Sequence, residues 1–359
     1  MCYVGLLTHQ GEYKDYPIEY KDYPYGESLS QIQEIIYAHD CIIGFNLKFD
    51  LHWLIRYGVD LSRLKVFDVQ LGEFILGNQS NPYPSLNSTA ISYGLEGKLD
   101  IVKTEYWDKG IDTTEIPEDI LTAYLKQDVM QTYEVFLKQQ EKITREIRVL
   151  LSLSNQDLLA LLEIEHNGML YNTKKSVELG DNIQIKLDEI DREMRSFLNC
   201  EEFNPGSGDH LSAVLYGGIL KYPGKETYTF TYKDGRVVDK TRNCVVERVF
   251  KRLITPLKGS ELAKEGYYAT NEPTLRSLRP TREVKHFIGL VLLRGELEKR
   301  RGTYLHGIPN MITENDWEEH TIHGQLNQCT AITGRLSSSR PNLQNFDKNI
   351  ADLFISRFT

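Results

Sequence analysis

Near its C-terminal end the chain reads Cys329-Thr330-Ala331-Ile332-Thr333-Gly334-Arg335-Leu336-Ser337-Ser338-Ser339-Arg340-Pro341-Asn342-Leu343-Gln344-Asn345, with neither a helical nor a strand period. Glycine, hydroxyls, amides and guanidinium groups dominate this run, and Pro341 bounds it. Such a composition predicts an ordered loop built to donate hydrogen bonds, which the rest of the fold must hold in place. The chemistry suits the minor groove of a nucleic acid duplex, where purine N3 and pyrimidine O2 look nearly alike at every base pair. An arginine and several amides aimed there grip a duplex without reading its sequence.

The 359 residues are enough for two or three domains with sizeable cores. No apolar run is long enough to span a membrane, and Met1 opens no signal peptide. The five cysteines (Cys2, Cys41, Cys200, Cys244, Cys329) are scattered and lack metal-binding spacing, which predicts reduced thiols in a cytoplasm. A net charge of −9 argues against bulk nucleic-acid binding. Local basic clusters, Lys299-Arg300-Arg301 and Arg335 with Arg340, leave room for it.

The N-terminal part alternates strand and helix patterns. Residues 3–8 read as a strand, 28–38 as a helix and 40–45 as a short buried strand. The segment Glu12-Tyr13-Lys14-Asp15-Tyr16-Pro17 recurs at 19–24, a duplication expected in an exposed hairpin or loop. Asp50, in Asn46-Leu47-Lys48-Phe49-Asp50, is expected to open a helix with Leu51, Leu54 and Ile55 on its apolar face. A carboxylate at a strand's carboxyl end beside a helix start can hold a metal ion or cap the helix. Asp68 ends another strand and is expected to be structural. Residues 85–94 predict a short helix with a glycine stop, and 120–136 an amphipathic helix. On the latter, Tyr124 and Asp128 are four apart and share a face.

Farther on, residues 150–167 and 176–198 have strong helical patterns. Glu163 and Glu165, with His166, are expected to be structural rather than metal ligands. Residues 217–268 carry an alternating strand at 228–232 and a turn at Lys233-Asp234-Gly235-Arg236, predicting a basic hairpin, solvated or in contact with DNA or a partner. Residues 281–304 read as one helix with a basic end. Residues 320–329 alternate like strands leading into the loop.

The run Thr333-Gly334-Arg335-Leu336-Ser337-Ser338 with Pro341-Asn342-Leu343-Gln344-Asn345 resembles the signature of family A DNA polymerases, the bacterial DNA polymerase I type, in a phage-encoded form. Asn46-x-x-Phe49-Asp50 and Tyr124-x-x-x-Asp128 resemble the second and third motifs of proofreading 3′–5′ exonucleases. The resemblance implies an α/β ribonuclease H-like exonuclease domain at 1–147, a mainly helical thumb at 148–318 and the start of a palm at 319–359. It implies Asp50 and Asp128 as ligands of Mg²⁺ or Mn²⁺, and Tyr124 as the group orienting the attacking water. It implies primer-template contacts from Arg301, Thr333, Arg335, Asn342, Gln344 and Asn345, with Ser337 in support. The partners are then primer-template DNA and single-stranded 3′ ends, in the cytoplasm of a bacterial host.

Two-metal phosphodiester hydrolysis needs several acids clamping ions about 4 Å apart. The family's Asp-x-Glu does not occur before Asp50, and the polymerase aspartates do not follow Asn345. The expectation is a chain that binds primer-template but does not itself synthesise, with a second polypeptide or a longer chain carrying the rest. The alternatives are a free-standing ribonuclease D-type 3′–5′ exonuclease and a non-catalytic DNA-binding subunit.

Overall fold

The computed structural model describes residues 2–20, 25–97, 101–318, 320–346 and 348–356. It divides into two compact units, one of residues 1–169 with 321–346, the other of 170–320 with 347–359. Residues 321–346, expected to open a palm, thus pack within the first unit.

The first unit begins with an antiparallel pair, β1 (Tyr3–Leu7) and β2 (Tyr13–Pro17), with Val4 opposite Tyr16. The duplicated segment lies in a hairpin, one of the two expected placements, but it is not simply exposed. Its first copy forms β2, and Tyr16 is buried with Ile18 and Tyr20 just beyond it. Alternation sends every second side chain inward, so Tyr16, Ile18 and Tyr20 serve the core. Of the second copy, residues 21–24 lie outside the described residues.

After α1 (Tyr25–Ala38), β3 (Ile42–Gly44) enters α2 (Leu47–Arg56), and β4 (Val66–Asp68) enters α3 (Val69–Leu76). β3 and β4 pair in parallel, Gly44 opposite Asp68. Both strands therefore deliver their carboxyl ends, and the helix starts that follow, to one edge. The helices α4 (Leu86–Ser92), α5 (Ile101–Glu105), α6 (Glu118–Gln140) and α7 (Arg145–Asn167) complete this part. Ile32, Ile36, Leu51, Leu54, Leu158 and Leu162 join α1, α2 and α7 in one apolar cluster.

The second unit holds β5 (Met169–Tyr171), the long helix α8 (Thr173–Leu198) and α9 (Gly208–Tyr216). A two-stranded ribbon follows, β6 (Gly218–Thr231) with β7 (Val237–Phe250), and then α10 (Glu272–Ser277) and α11 (Arg282–Lys299). α11 packs on α8, where Phe287 stacks on Phe197 at 5.2 Å between ring centroids. Arg294 of α11 reaches Asp191 of α8 at 2.7 Å, with both side chains largely buried. The helix expected through residue 304 changes pitch after Lys299. Arg300–Leu305 is a π-helical turn, and α12 (Gly307–Glu314) continues beyond it. A Cβ at Gly307 would stand 2.5 Å from the Gly302 carbonyl oxygen, so the turn closes only on glycine.

The chain returns to the first unit with β8 (Thr321–Ile322) and the hairpin of β9 (Gln325–Asn327) and β10 (Ser337–Ser339), Leu326 opposite Ser338. β11 (Phe354–Ile355) closes the second unit against β5, Phe354 opposite Tyr171.

Candidate functional site

Helix α2 starts at Leu47, three residues before Asp50, because Asn46 turns the chain with a left-handed φ of 53°. Asparagine tolerates that conformation better than most residues. Asp50 consequently sits in the first turn of α2 rather than at its cap. The capping role falls to Asp68. Its Oδ1 accepts from the N–H groups of Gln70 (2.8 Å) and Leu71 (3.0 Å), and its Oδ2 from the N–H of Leu47 (2.7 Å). One buried carboxylate thus serves the starts of both α2 and α3, where unpaired N–H groups and helix dipoles favour negative charge. Burial nevertheless pushes the Asp68 carboxyl up, against the pull of those N–H groups. The structural role expected for Asp68 is the one observed.

Asp50 is exposed at its surface yet stands in a densely packed neighbourhood. Burial, then the like charges of Asp68 and Asp128, push its carboxyl up to about 7. Asp128 on α6 is half-buried. Tyr124, one turn earlier, packs beside the Tyr20, Val102, Ile116 and Leu121 cluster, its ring edge-on to Trp107 at 5.9 Å. Asp50 and Asp128 are thus electrostatic neighbours. Among the described residues, however, no group of three or more His, Cys, Asp or Glu side chains could hold a metal ion.

The loop lies on the first unit's surface. Thr333, Arg335, Asn342, Gln344 and Asn345 are all exposed. Its two ends are anchored. Cys329 is buried among Leu71, Phe74, Ile75 and Leu151, and its carbonyl accepts from the N–H of Tyr83 at 3.0 Å. The Thr330 hydroxyl donates to the Tyr83 hydroxyl at 2.9 Å and accepts from the Ser337 hydroxyl at 2.9 Å. The buried Ser338 hydroxyl accepts from the N–H of Leu343 at 3.0 Å. Two expected DNA contacts also brace the loop. Asn342 Oδ1 accepts from the N–H of Gln344 at 3.1 Å, and Gln344 Nε2 donates to the carbonyl of Leu336 at 3.1 Å. Arg335 is carried at the exposed crest between these braces.

Arg301 belongs to the second unit and lies in the π-helical turn. Its Nε is buried and has no hydrogen-bond partner among the described residues. A buried unpaired donor is costly, and π turns recur where helices carry functional side chains.

Sequence reasoning missed one network. Glu165 on α7 is buried, and its carboxylate accepts from Lys48 Nζ, from His52 Nε2 at 2.7 Å and from the N–H of Leu326. Lys48 Nζ also donates to the Leu326 carbonyl. Burial alone would raise the Glu165 carboxyl. The hydrogen bonds from His52, Lys48 and Leu326 outweigh it and hold the group below the usual range. Lys48 and His52 are four apart on α2, the one signal in the sequence that they share a face.

Residues 1–144 match the family model for 3′-5′ exonuclease, and residues 240–356 match that for DNA polymerase family A. The DNA polymerase I of Bacillus subtilis (strain 168) is 26% identical over 292 residues, covering 80% of this chain and 28% of that one. The DNA polymerase I of Synechocystis is 26% identical over 352 residues, covering 96% of this chain and 30% of that one. The DNA polymerase I of Deinococcus radiodurans is 49% identical over 70 residues, 19% of this chain and 7% of that one. The chain therefore spans about 30% of the length of the full-length relatives it aligns with along most of its own. Its fold is like that of the POL domain of Pol1 from M. smegmatis, solved in complex with DNA primer-template and dNTP. The TM-score is 0.63 at 17% identity, covering 99% of this chain and 52% of that one.

Proposed function

Since this chain belongs to the family A DNA polymerases, with a 3′-5′ exonuclease domain in its N-terminal part, we propose that it binds primer-template DNA in replication through the loop at 329–345. The observation that carries this reading is the exposure of Arg335, Thr333, Asn342, Gln344 and Asn345 on a loop pinned from below by Cys329, Thr330 and Ser338. A loop fixed at both ends presents its donors in one arrangement, so little ordering is needed on binding. Arg335 enters the minor groove near the primer terminus. The exposed amides of the loop take neighbouring template and primer positions. Arg301 adds a phosphate contact, which supplies affinity without sequence information.

The exonuclease domain is read as ribonuclease H-like, supported by the parallel β3–β4 pair feeding α2 and α3. Asp50 and Asp128 are the side chains that would hold a divalent cation, Mg²⁺ or Mn²⁺, and such an ion supplies charge stabilisation and an activated water in this chemistry. The Asp50 carboxyl is raised first by burial and then by the like charges of Asp68 and Asp128. The pair does not fit a two-metal cage, because the described residues supply no third ligand beside it. No hydrolytic step is assigned to these residues alone. Tyr124 stands one turn from Asp128 with its ring held by packing, which suits an orienting hydroxyl.

Primer-template binding by the whole chain tests the reading. Arg335→Ala should weaken it on the order of tenfold, and equally for primers ending in different base pairs. A loss confined to one sequence would contradict a groove contact that ignores base identity.

A further inference from the structure

The ribbon of β6 and β7 pairs fourteen residues of each strand, from Gly218 opposite Phe250 to Thr231 opposite Val237. It packs on α9 at its base, and most of its outer length is exposed. A two-stranded ribbon this long is marginal on its own in water, so the side chains on its faces need a reason to be apolar. One face carries Tyr228, Phe230 and Tyr232 in succession, each more than a third exposed. On the facing strand of the same face stand Lys240 and Arg242, and Arg236 lies across from Tyr232 just beyond the turn.

The cations and rings are already arranged together. Lys240 Nζ lies 3.9 Å from the Phe230 ring centroid and 4.8 Å from that of Tyr232. The Arg236 guanidinium is 4.8 Å from Tyr232, and that of Arg242 is 5.5 Å from Tyr228. Residues 218–250 hold seven Lys and Arg against four Asp and Glu, the reverse of the balance in a chain of net charge −9. Glu226 pairs with Arg242 and Asp234 with Arg236 at 3.8 Å, so the local excess on this face rests chiefly on Lys240.

We propose that this face of the ribbon is a track for single-stranded DNA. The residues that carry the rings step along one strand by about 7 Å, two at a time, on the scale of one nucleotide of an extended strand, and the Phe230 and Tyr232 rings meet edge to face at 5.0 Å between centroids. Unpaired bases stack on successive rings, and the phosphates between them meet Lys240, Arg236 and Arg242. A duplex hides its base faces and would use only the cations, which is why the aromatic row selects an unpaired strand. This assignment goes beyond the duplex-holding role of the loop at 329–345 and does not depend on it.

The test is titration of labelled oligothymidylate with the full chain at several salt concentrations. Tyr228→Ala with Phe230→Ala and Tyr232→Ala should lower affinity on the order of tenfold or more, with little change in the slope of log K against log salt. Lys240→Ala with Arg242→Ala and Arg236→Ala should flatten that slope by about two units, at roughly 0.7 for each phosphate that is no longer neutralised. Tyr228→Leu with Phe230→Leu and Tyr232→Leu keeps the face apolar and should lose binding as the alanine variant does, separating stacking from ribbon integrity. Thr227→Ala with Thr241→Ala, on the opposite face, should bind as the parent does. Unchanged affinity in the aromatic variants overturns the proposal, whether the ribbon then captures an acidic protein or nothing. Tighter binding of oligouridylate than of oligothymidylate would transfer the site to RNA and overturn the DNA assignment. Oligothymidylate offers no minor groove, so this result is independent of how Arg335→Ala affects a primed duplex.

Discussion

His52 Nε2 stands 2.7 Å from Glu165 Oε2, on a carboxylate that is almost wholly buried. The other oxygen of Glu165 takes Lys48 and the N–H of Leu326. One carboxylate therefore ties α2, which carries Asp50, to the β9–β10 hairpin, which carries the loop with Arg335. The 3′–5′ exonuclease-like part and the loop proposed to bind DNA are joined here by a charge network as well as by chain connectivity.

Removing Glu165 should loosen both. A buried charge network is strongly destabilised when one member is deleted, because the remaining partners lose their compensation. Glu165→Ala should cost about 2 to 4 kcal/mol in urea unfolding. The Glu165 carboxyl is held low in the fold, so its contribution is complete above the unfolded value near 4.3 and is lost as pH falls through the folded value. The parent should lose stability in that acid range more steeply than Glu165→Gln, and coincident profiles would dismiss the network as a stabiliser.

Asp50 has the opposite sign. Its folded value is raised to about 7, above about 3.9 for the unfolded chain. Between those limits the fold retains a proton that unfolding releases, so stability declines as pH rises through the window. Solvent contact screens part of the effect, and Asp50→Asn should gain about 1 kcal/mol at about pH 8. Carboxyl resonances followed by NMR should show Asp50 titrating lower in Asp128→Asn. An unmoved titration would separate the two carboxylates.

Gly168 ends α7 with φ 62° and ψ −171°, a conformation open essentially to glycine alone. An added Cβ would also stand 2.7 Å from the Ile322 carbonyl oxygen. Gly168→Ala should cost about 3 kcal/mol or more in thermal or urea unfolding. A cost within about 0.5 kcal/mol, typical of an indifferent surface site, would mean that the chain end of α7 relaxes freely.

Much of the site is legible from local pattern. The strand-then-helix periodicity around Asp50 and Asp68 survives in β3–α2 and β4–α3, because both elements follow from short-range apolar spacing. The start of α2 differs from the expected one by three residues, since a left-handed Asn46 leaves no periodic trace. The duplicated tyrosine segment has the composition of a polar loop, yet its alternation buries Tyr16 against distant helices. Glu165 illustrates the larger limit. Its partners lie 113 to 161 positions away, and no local rule announces a pairing closed only by tertiary packing. The π-helical turn at Arg301 is unreadable for a related reason, since its composition fits a continued α-helix equally well.

The most direct measurement is a double-mutant cycle between Arg335 and the primer-terminal base pair. Arg335→Ala is combined with a 3-deazapurine, which lacks the minor-groove N3 acceptor, and binding of all four combinations is measured at one salt concentration. Each change alone should weaken binding on the order of tenfold and the pair should be no worse than either, a coupling of about 1.4 kcal/mol. Strict additivity, within about 0.3–0.5 kcal/mol, would show that Arg335 does not meet that groove and would contradict the account.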